Sequence, residues 1–260
     1  MRNGYRRVLA ATDESDQAEH AIEIACALAR RAGAVFDVIT VRTPALGVLL
    51  PTARAGHLAV CSAPVMELHG LPGVEIVHHA EATHADLLVL GRSDRGPAQP
   101  AMLGPTSDGV IRRRNGPTLL IPKSTRKLER VLIALDGSRR GLGVFGQGCG
   151  LARLVDGPCG VICMLPEPPE FLASDRGWVD PRRARVLELA RADLEDCVPA
   201  ETMIRSGDPV KGVLQAIDEW GADVIVLGVR RGGPPGELGS GHIGRDLLQA
   251  APVAVLTVPI

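Results

Sequence analysis

The chain contains the same ordered set of three short segments twice. In each copy one apolar run ends in aspartate, a second ends in glycine and a third ends in proline, at residues 7–13, 85–91 and 118–122 and again at residues 130–136, 222–228 and 255–259. The offset between the copies is 136 − 13 = 123 at the first segment and 228 − 91 = 137 at the other two, so the middle of the second copy is longer by 137 − 123 = 14. Segments repeated in the same order indicate two domains of one kind in tandem.

The length of the chain agrees with two domains, since 260 residues is twice the size of an ordinary domain of about 100–200 residues. We expect the domains at residues 1–123 and 128–260, with a short linker between them. In each copy apolar strand-like runs alternate with helix-like segments, which predicts parallel strands joined by right-handed crossovers. The residues missing from the first copy fall before residue 70, so residues 47–62 have room only for a shortened second helix.

Composition excludes several classes of function. The net charge of −1 gives no broad electrostatic attraction to nucleic acid or to an acidic membrane, so we expect neither as a partner. No apolar stretch approaches the ~18 residues of a membrane span, and the first strand starts too early to leave room for a signal peptide. The six cysteines are scattered among apolar neighbours and are expected to be reduced core residues. A cytoplasmic location is therefore expected.

The order of the motifs resembles that of the universal stress protein family. A strand ending in Asp, a strand ending in Gly, a glycine-containing loop, a helix and a last strand occur in each copy, so the resemblance covers essentially the whole chain as a tandem pair. It implies an α/β fold with two open five-stranded parallel sheets flanked by helices, of the adenine nucleotide alpha hydrolase-like type with strand order 3-2-1-4-5. A lone domain would expose its last strand as an unprotected edge, so we expect the two domains to pair through these strands. A homodimer of the whole chain is left open.

The resemblance also implies a site for ATP or AMP, which many members of this family bind. Their loop motif is Gly, two residues, Gly, nine residues, Gly and then Ser or Thr, because glycines let the backbone approach phosphate and the next helix presents free N–H groups. The aspartate that ends the first strand lies near the adenine in such members, at the carboxyl edge of the sheet. The matching candidates are Asp136, Ser138 and Met164 in the second copy and Asp13 and Val41 in the first.

The loop of the first copy departs from the motif in a way that opposes binding of an anion. Gly91 and Gly104 fit the outer glycines, since their separation (104 − 91 = 13) is that of the motif. Asp94 stands in place of the second glycine and adds a negative charge, and Pro105 replaces the hydroxyl residue and removes a backbone donor. Proline is nevertheless well suited to the first turn of a helix. We interpret this loop as one that has lost its phosphate site. The start of the following helix is retained because the fold needs it.

The loop of the second copy departs from the motif in a way that remains compatible with phosphate. Gly228 and Gly241 have the same separation (241 − 228 = 13), Arg231 replaces the second glycine and His242 replaces the hydroxyl residue. Arg230, Arg231 and His242 could all donate hydrogen bonds to phosphate. The alternative to a phosphate site is a pair of solvated arginines on a glycine-rich loop. Any nucleotide is therefore expected in the second copy, with its phosphates at residues 228–242.

Three functions remain after this inspection. The leading hypothesis is a cytoplasmic stress-response protein that binds ATP or AMP as a sensor or regulator. The alternative is a tandem module that has lost nucleotide binding and works through protein contacts. A weak nucleotide hydrolase is the least supported, because no positioned base or metal set is evident, and we assign no catalytic residue. No metal site is expected, since the separations among His78, His79 and His84 do not match the spacing of ligands on a helix.

Overall fold

The computed structural model describes residues 4–43, 63–92, 103–166, 180–191, 199–230 and 242–260. The first half contains β1 (Arg7–Thr12), α1 (Asp16–Ala32), β2 (Val35–Arg42), β3 (Val65–His69), α2 (Pro72–Ala82), β4 (Leu87–Arg92), α3 (Pro105–Arg113) and β5 (Thr118–Pro122). The second half contains β6 (Val131–Leu135), α4 (Gly141–Val155), β7 (Cys159–Leu165), α5 (Pro181–Arg191), β8 (Glu201–Ser206), α6 (Pro209–Trp220), β9 (Val224–Val229), α7 (His242–Ala250) and β10 (Ala254–Pro259). Within each half the described strands and helices alternate as the sequence predicted, except between β2 and β3, where residues 44–62 lie outside the described part.

All ten of these strands form one continuous sheet. Its order is β3-β2-β1-β4-β5-β10-β9-β6-β7-β8, so each half contributes five parallel strands in the order 3-2-1-4-5. The two halves meet at β5 and β10, which pair antiparallel with Leu120 opposite Val255 and Thr118 opposite Thr257. The hydroxyl of Thr257 also donates to the carbonyl of Thr118 (3.1 Å). The predicted fold class and the pairing through the last strands are both confirmed.

Helices cover both faces of the sheet. On one face α1, α4 and α5 pack against the strands in one apolar cluster, and on the other face α2, α3, α6 and α7 form a second cluster. The central strands are buried along their length because both of their faces are covered, and for that reason their sequences are continuous apolar runs. Within each half the strand ends that carry the polar candidates share one edge of the sheet, and because β5 and β10 pair antiparallel, the two halves present these ends at opposite edges.

The same aspartate contact fixes the start of the first strand in each half. The Oδ2 atom of Asp86 accepts hydrogen bonds from two successive backbone N–H groups at the start of β1 (2.8 and 2.9 Å). The Oδ2 atom of Asp223 does the same at the start of β6 (3.1 and 3.0 Å). Each aspartate precedes the fourth strand of its half, so the contact ties the first and fourth strands together. The repeat is therefore kept in side-chain contacts as well as in strand order.

Two details differ from the sequence-based expectations. Cys149 on α4 is disulfide-bonded, so the expectation that all cysteines are reduced is wrong for this residue; apolar neighbours predict burial and do not distinguish a thiol from a disulfide. The fourth strand of the second half begins at Val224, two residues later than predicted, because Asp223 is occupied at the start of β6. The predicted shortened helix at residues 47–62 lies outside the described residues.

Candidate functional site

Each half contains a cavity at the carboxyl ends of its strands. In both halves the ends of the first, second and fourth strands line it, together with the start of the last helix. The cavity of the first half has a volume of about 260 Å³ and that of the second half about 400 Å³. Open parallel sheets bind ligands at this edge, where the loops after adjacent strands diverge. We refer to these spaces as the first cavity and the second cavity.

The second cavity brings together four of the eight candidates that the sequence placed in this half. Asp136, Met164, Gly228 and Arg230 all line it. Ser138 is not among the lining residues; its backbone N–H donates to Oδ1 of Asp136 (2.8 Å) and so orients that carboxylate. The predictions for Arg231 and Gly241 lie outside the described residues. His242 is the first residue of α7, as the motif requires, and its side chain is outside the described part.

Two arginines that line the second cavity were missed by sequence reasoning. Arg182 comes from the first turn of α5 and Arg245 from the first turn of α7, and with Arg230 they surround a floor that is mainly apolar. Arg245 had a signal in the sequence, since it stands three residues after His242 and therefore on the same face of the helix start. Arg182 had no comparable signal, because it lies in the segment that the first copy lacks.

Helix α5 packs directly on the turn that follows β6. Arg182 donates from Nε (3.0 Å) and Nη2 (2.8 Å) to the carboxylate of Asp180, and this lowers the pKa of Asp180. Gly137 beside Asp136 has φ of 71°, and a Cβ atom there would lie 2.6 Å from the Cβ of Arg182. The left-handed backbone favours glycine at this position, and the close approach of α5 requires it. The first half has Glu14 at the same place with φ of 64°, held by an ion pair with Arg42.

The side chain of Met164 lies on the floor of the second cavity and packs against α6 at Gly212, where no side chain occupies the space. A Cβ atom on Gly212 would lie 2.3 Å from the Cε atom of Met164, so the methionine reaches this position only because residue 212 is glycine. Under the offsets of the repeat, the counterparts in the first half are Val41 (164 − 123 = 41) and Glu75 (212 − 137 = 75). The two cavities therefore have floors of different shape.

The first cavity contains every candidate that the sequence placed in the first half. Asp13, Val41, Gly91 and Gly104 all line it. A Cβ atom on Gly91 would lie 2.9 Å from the backbone oxygen of Gln17, so the packing of α1 accounts for glycine at this position without any phosphate. By contrast, a Cβ atom on Gly104 would meet nothing within 4 Å.

The chemistry of the first cavity is neutral or acidic. Ser15 adds a hydroxyl group, and Thr12, Thr106 and Ser107 add three that sequence reasoning missed; the signal for the last two was their position directly after Gly104 and Pro105. Asp13 accepts hydrogen bonds from the backbone N–H and the hydroxyl of Ser15 (3.1 and 2.5 Å). No lysine or arginine is among the described residues that line this cavity.

Cys163 lies buried on β7 beneath the second cavity. Burial raises the pKa of its thiol to about 11, and the negative charge of Asp136 acts in the same direction. The thiol therefore stays protonated at neutral pH, and a protonated thiol is a poor nucleophile. Within the described ranges, no three His, Cys, Asp or Glu side chains cluster as they would around a metal ion. In the same part of the chain, no helix has the length and apolar character needed to cross a membrane.

Comparison with known proteins places these observations in one family. The sequence model of the universal stress protein family matches residues 4–122 and again residues 127–259. The fold is similar to that of a universal stress protein from Archaeoglobus fulgidus DSM 4304, with a TM-score of 0.74, 19% identity and 98% of each chain covered. It is also similar to a putative universal stress protein from Pseudomonas aeruginosa UCBPP-PA14, with a TM-score of 0.69, 16% identity and coverage of 99% of this chain and 94% of that one. No protein of curated function matches the sequence.

Proposed function

The chain belongs to the universal stress protein family, and we propose that its second half binds an adenine nucleotide, through which the protein acts as a sensor or regulator in the stress response. Membership in the family supports the stress-response role. Nucleotide binding, the preference for the second half and a cytoplasmic location are the finer parts of the proposal. The protein is proposed to bind its ligand without transforming it, because no catalytic group has been assigned.

The observation that carries the proposal is the convergence of three arginines, of which Arg182 is paired with Asp180, on a mainly apolar cavity that also contains the carboxylate of Asp136. Arg182, Arg230 and Arg245 line the second cavity, and guanidinium groups form paired hydrogen bonds to phosphate. The volume of about 400 Å³ falls within the range of about 300–1,000 Å³ of small-molecule sites. Helix α7 begins beside the arginines, and its first N–H groups and dipole favour an anion at this end. The charge and the helix end both fit the phosphates of a nucleotide.

The apolar floor of the second cavity fits a planar base. Ala134, Ile162 and Leu227 contribute apolar surface from three adjacent strands, on which an aromatic ring can lie. The carboxylate of Asp136 stands at the end of β6 and is held there by the N–H of Ser138. A carboxylate accepts hydrogen bonds, so it can pair with the amino group at position 6 of adenine.

Two measurements test the proposal. Native mass spectrometry of freshly purified protein should detect ATP, ADP or AMP bound to the chain, and titration calorimetry with ATP should give one preferred site. Arg245→Met should weaken ATP binding about tenfold or more, because a hydrogen bond to a charged group contributes roughly 1.5–3 kcal/mol. Arg205→Met is the matched control, since Arg205 pairs with Glu219 and does not line the cavity.

The outcomes separate this proposal from the alternative function. Equal losses in Arg245→Met and Arg205→Met would mean that the effect is general and not local to the cavity. Wild-type protein that carries no nucleotide and binds none would refute the proposal. The tandem module acting through protein contacts would then be the better interpretation.

A further inference from the structure

A buried arginine of the first half reaches across the junction into the second half. Arg92 is the last residue of β4 and is 4% exposed. Its guanidinium donates from Nη1 to the carbonyl of Leu248 (3.1 Å) and from Nη2 to the carbonyl of Ala251 (2.5 Å). Both carbonyls belong to the C-terminal end of α7, where backbone acceptors lack partners within the helix and the helix dipole is negative. Arg92 therefore caps a helix that belongs to the other half.

The cation at the C-terminal end of the last helix has a different source in each half. In the first half α3 carries Arg112 and Arg113 in its last turn, and Arg114 directly follows it, with its side chain bonded to backbone carbonyls of the same half. Helix α7 carries no basic residue in its last turn. The counterpart of Arg114 in the repeat is Ala251 (114 + 137 = 251), and its carbonyl is one of the two that Arg92 holds. The second half thus depends on the first for a cation that the first half supplies to itself.

The same contact has no copy in the reverse direction. The counterpart of Arg92 under the same offset is Val229 (92 + 137 = 229), which is apolar and lines the second cavity. A valine cannot cap a helix, so Val229 does not return the contact to α3. Because the contact runs in one direction only, the repetition of the fold does not by itself account for Arg92.

The other end of α7 lies at the second cavity. Ile243, Gly244 and Arg245, from its first turn, line the cavity together with Leu247, whereas Leu248 is fully buried in the core. The helix has nine residues, so it is about 13 Å long at a rise of about 1.5 Å per residue. Such a short helix moves as a rod, and a contact that fixes one end also fixes the other. The position of Arg245 is therefore linked to the anchoring of the C-terminal end.

We infer that Arg92 is a positioning residue for the second cavity: by capping α7 from the first half, it fixes the helix start and Arg245 where they can meet an anionic ligand. The part of this inference that concerns a ligand rests on the proposed function. The part that concerns the helix does not, since it can be measured without any ligand.

The test compares four full-length proteins: wild type, Arg92→Met, Arg92→Lys and Arg31→Met. Arg31 is the matched control, because it also crosses between the halves and also caps a helix, donating to the carbonyl of Val155 at the end of α4 (2.9 Å). Hydrogen–deuterium exchange of residues 242–250 reports the anchoring of α7 without ligand, and calorimetry with ATP reports the affinity. Thermal unfolding reports the general cost of losing a contact between the halves.

Arg92→Met should speed exchange in α7 about tenfold and weaken ATP binding about five- to tenfold, the lower end of typical couplings between separate sites. Arg92→Lys keeps the positive charge but loses the paired donors of the guanidinium group. Its exchange rate in α7 and its ATP affinity should therefore lie between those of wild type and Arg92→Met. It also carries the test if Arg92→Met does not fold. Arg31→Met should lower the melting temperature and leave exchange in α7 and ATP affinity at wild-type values.

Unchanged exchange in α7 of Arg92→Met, or of Arg92→Lys where only that variant folds, would overturn the inference. An equal effect of Arg31→Met on α7 would overturn it too, because the contact would then matter only for the interface as a whole. If wild type binds no ATP while Arg92→Met loosens α7, the proposed nucleotide function fails and the positioning of the helix by Arg92 stands.

Discussion

Leu119 of β5 lies directly opposite Leu256 of β10, and Leu256 is the residue that takes the place of Leu119 in the second copy (119 + 137 = 256). Each of these leucines therefore pairs with its own counterpart. The flanking positions exchange under the same offset: Thr118 corresponds to Val255. A two-fold axis that relates the halves passes through this pair, as expected from the need to protect the last strand of each half.

The axial pair gives a prediction about stability. Both leucines are fully buried, so Leu119→Ala and Leu256→Ala should each lower the free energy of unfolding by about 2–5 kcal/mol, and by similar amounts. The double variant should cost clearly less than the two single costs added, because the first truncation already removes the contact between the side chains. Urea denaturation measures all three values. Leu9 and Leu132 are equally buried counterparts on β1 and β6 and serve as the control pair, whose costs should add. Additive costs at the axial pair would contradict the prediction.

The close contact between Met164 and Gly212 gives a prediction about the second cavity. Gly212→Ala places a Cβ atom where the end of the Met164 side chain lies, and this flexible side chain should move into the cavity. ATP binding should weaken several-fold, while the melting temperature changes by only a few degrees. The double variant Gly212→Ala/Met164→Ala removes the displaced side chain and should recover the affinity. Failure of the second change to restore binding would show that Gly212 acts in some other way.

The ion pair between Asp180 and Arg182 at the start of α5 gives a prediction about stability in acid. Hydrogen bonding and charge from Arg182 lower the pKa of Asp180 below its ordinary value of about 3.9. A lowered pKa contributes stability above the unfolded-state pKa and loses it as the pH falls through the folded-state pKa. Asp180→Asn should therefore be less stable than wild type between pH 5 and 7, and the difference should shrink below about pH 4. Unfolding followed from pH 7 to pH 3 measures it. The dependence should become smaller when Arg182→Met is the background for both proteins, because only the backbone N–H of residue 182 then still donates to Asp180 (2.8 Å).

The buried thiol of Cys163 gives a prediction about reactivity. Because burial raises its pKa to about 11, the thiolate is scarce at pH 8 and iodoacetamide should modify Cys163 far more slowly than a free cysteine. Peptide mass spectrometry identifies the site of modification, and the same reaction in urea provides the exposed reference. Modification of native protein at the rate seen in urea would contradict the assigned environment.

The sequence was sufficient for the fold because the fold depends on patterns that are local and repeated. Two sets of apolar runs with consistent offsets specified the strands, and the unprotected last strand specified how the halves meet. The sequence also indicated that Asp136 and Gly228 lie at one edge of the sheet, and both line the second cavity. Some residues have more than one possible reason: Gly91 fits the loop motif, and the close approach of α1 also accounts for a glycine there.

Residues that act across elements were hard to find from the sequence. Arg245 had a signal in its position three residues after His242, whereas only the packing of α5 against the strand ends brings Arg182 to the same cavity. Arg92 was missed for the same reason, since its partners lie in the other half of the chain, far from it in sequence. Their convergence is a property of the tertiary structure and has no motif.

Joining both halves in one polypeptide changes what the junction of β5 and β10 can evolve to be. Two separate copies would dissociate on dilution, whereas linked halves remain together because their effective concentration is set by the linker and not by the amount of protein. Two identical copies would also present every substitution at the interface twice, once on each side of the axis. In a single chain a residue such as Arg92 can arise once, opposite nothing of its own kind, and the two cavities are free to diverge toward different tasks.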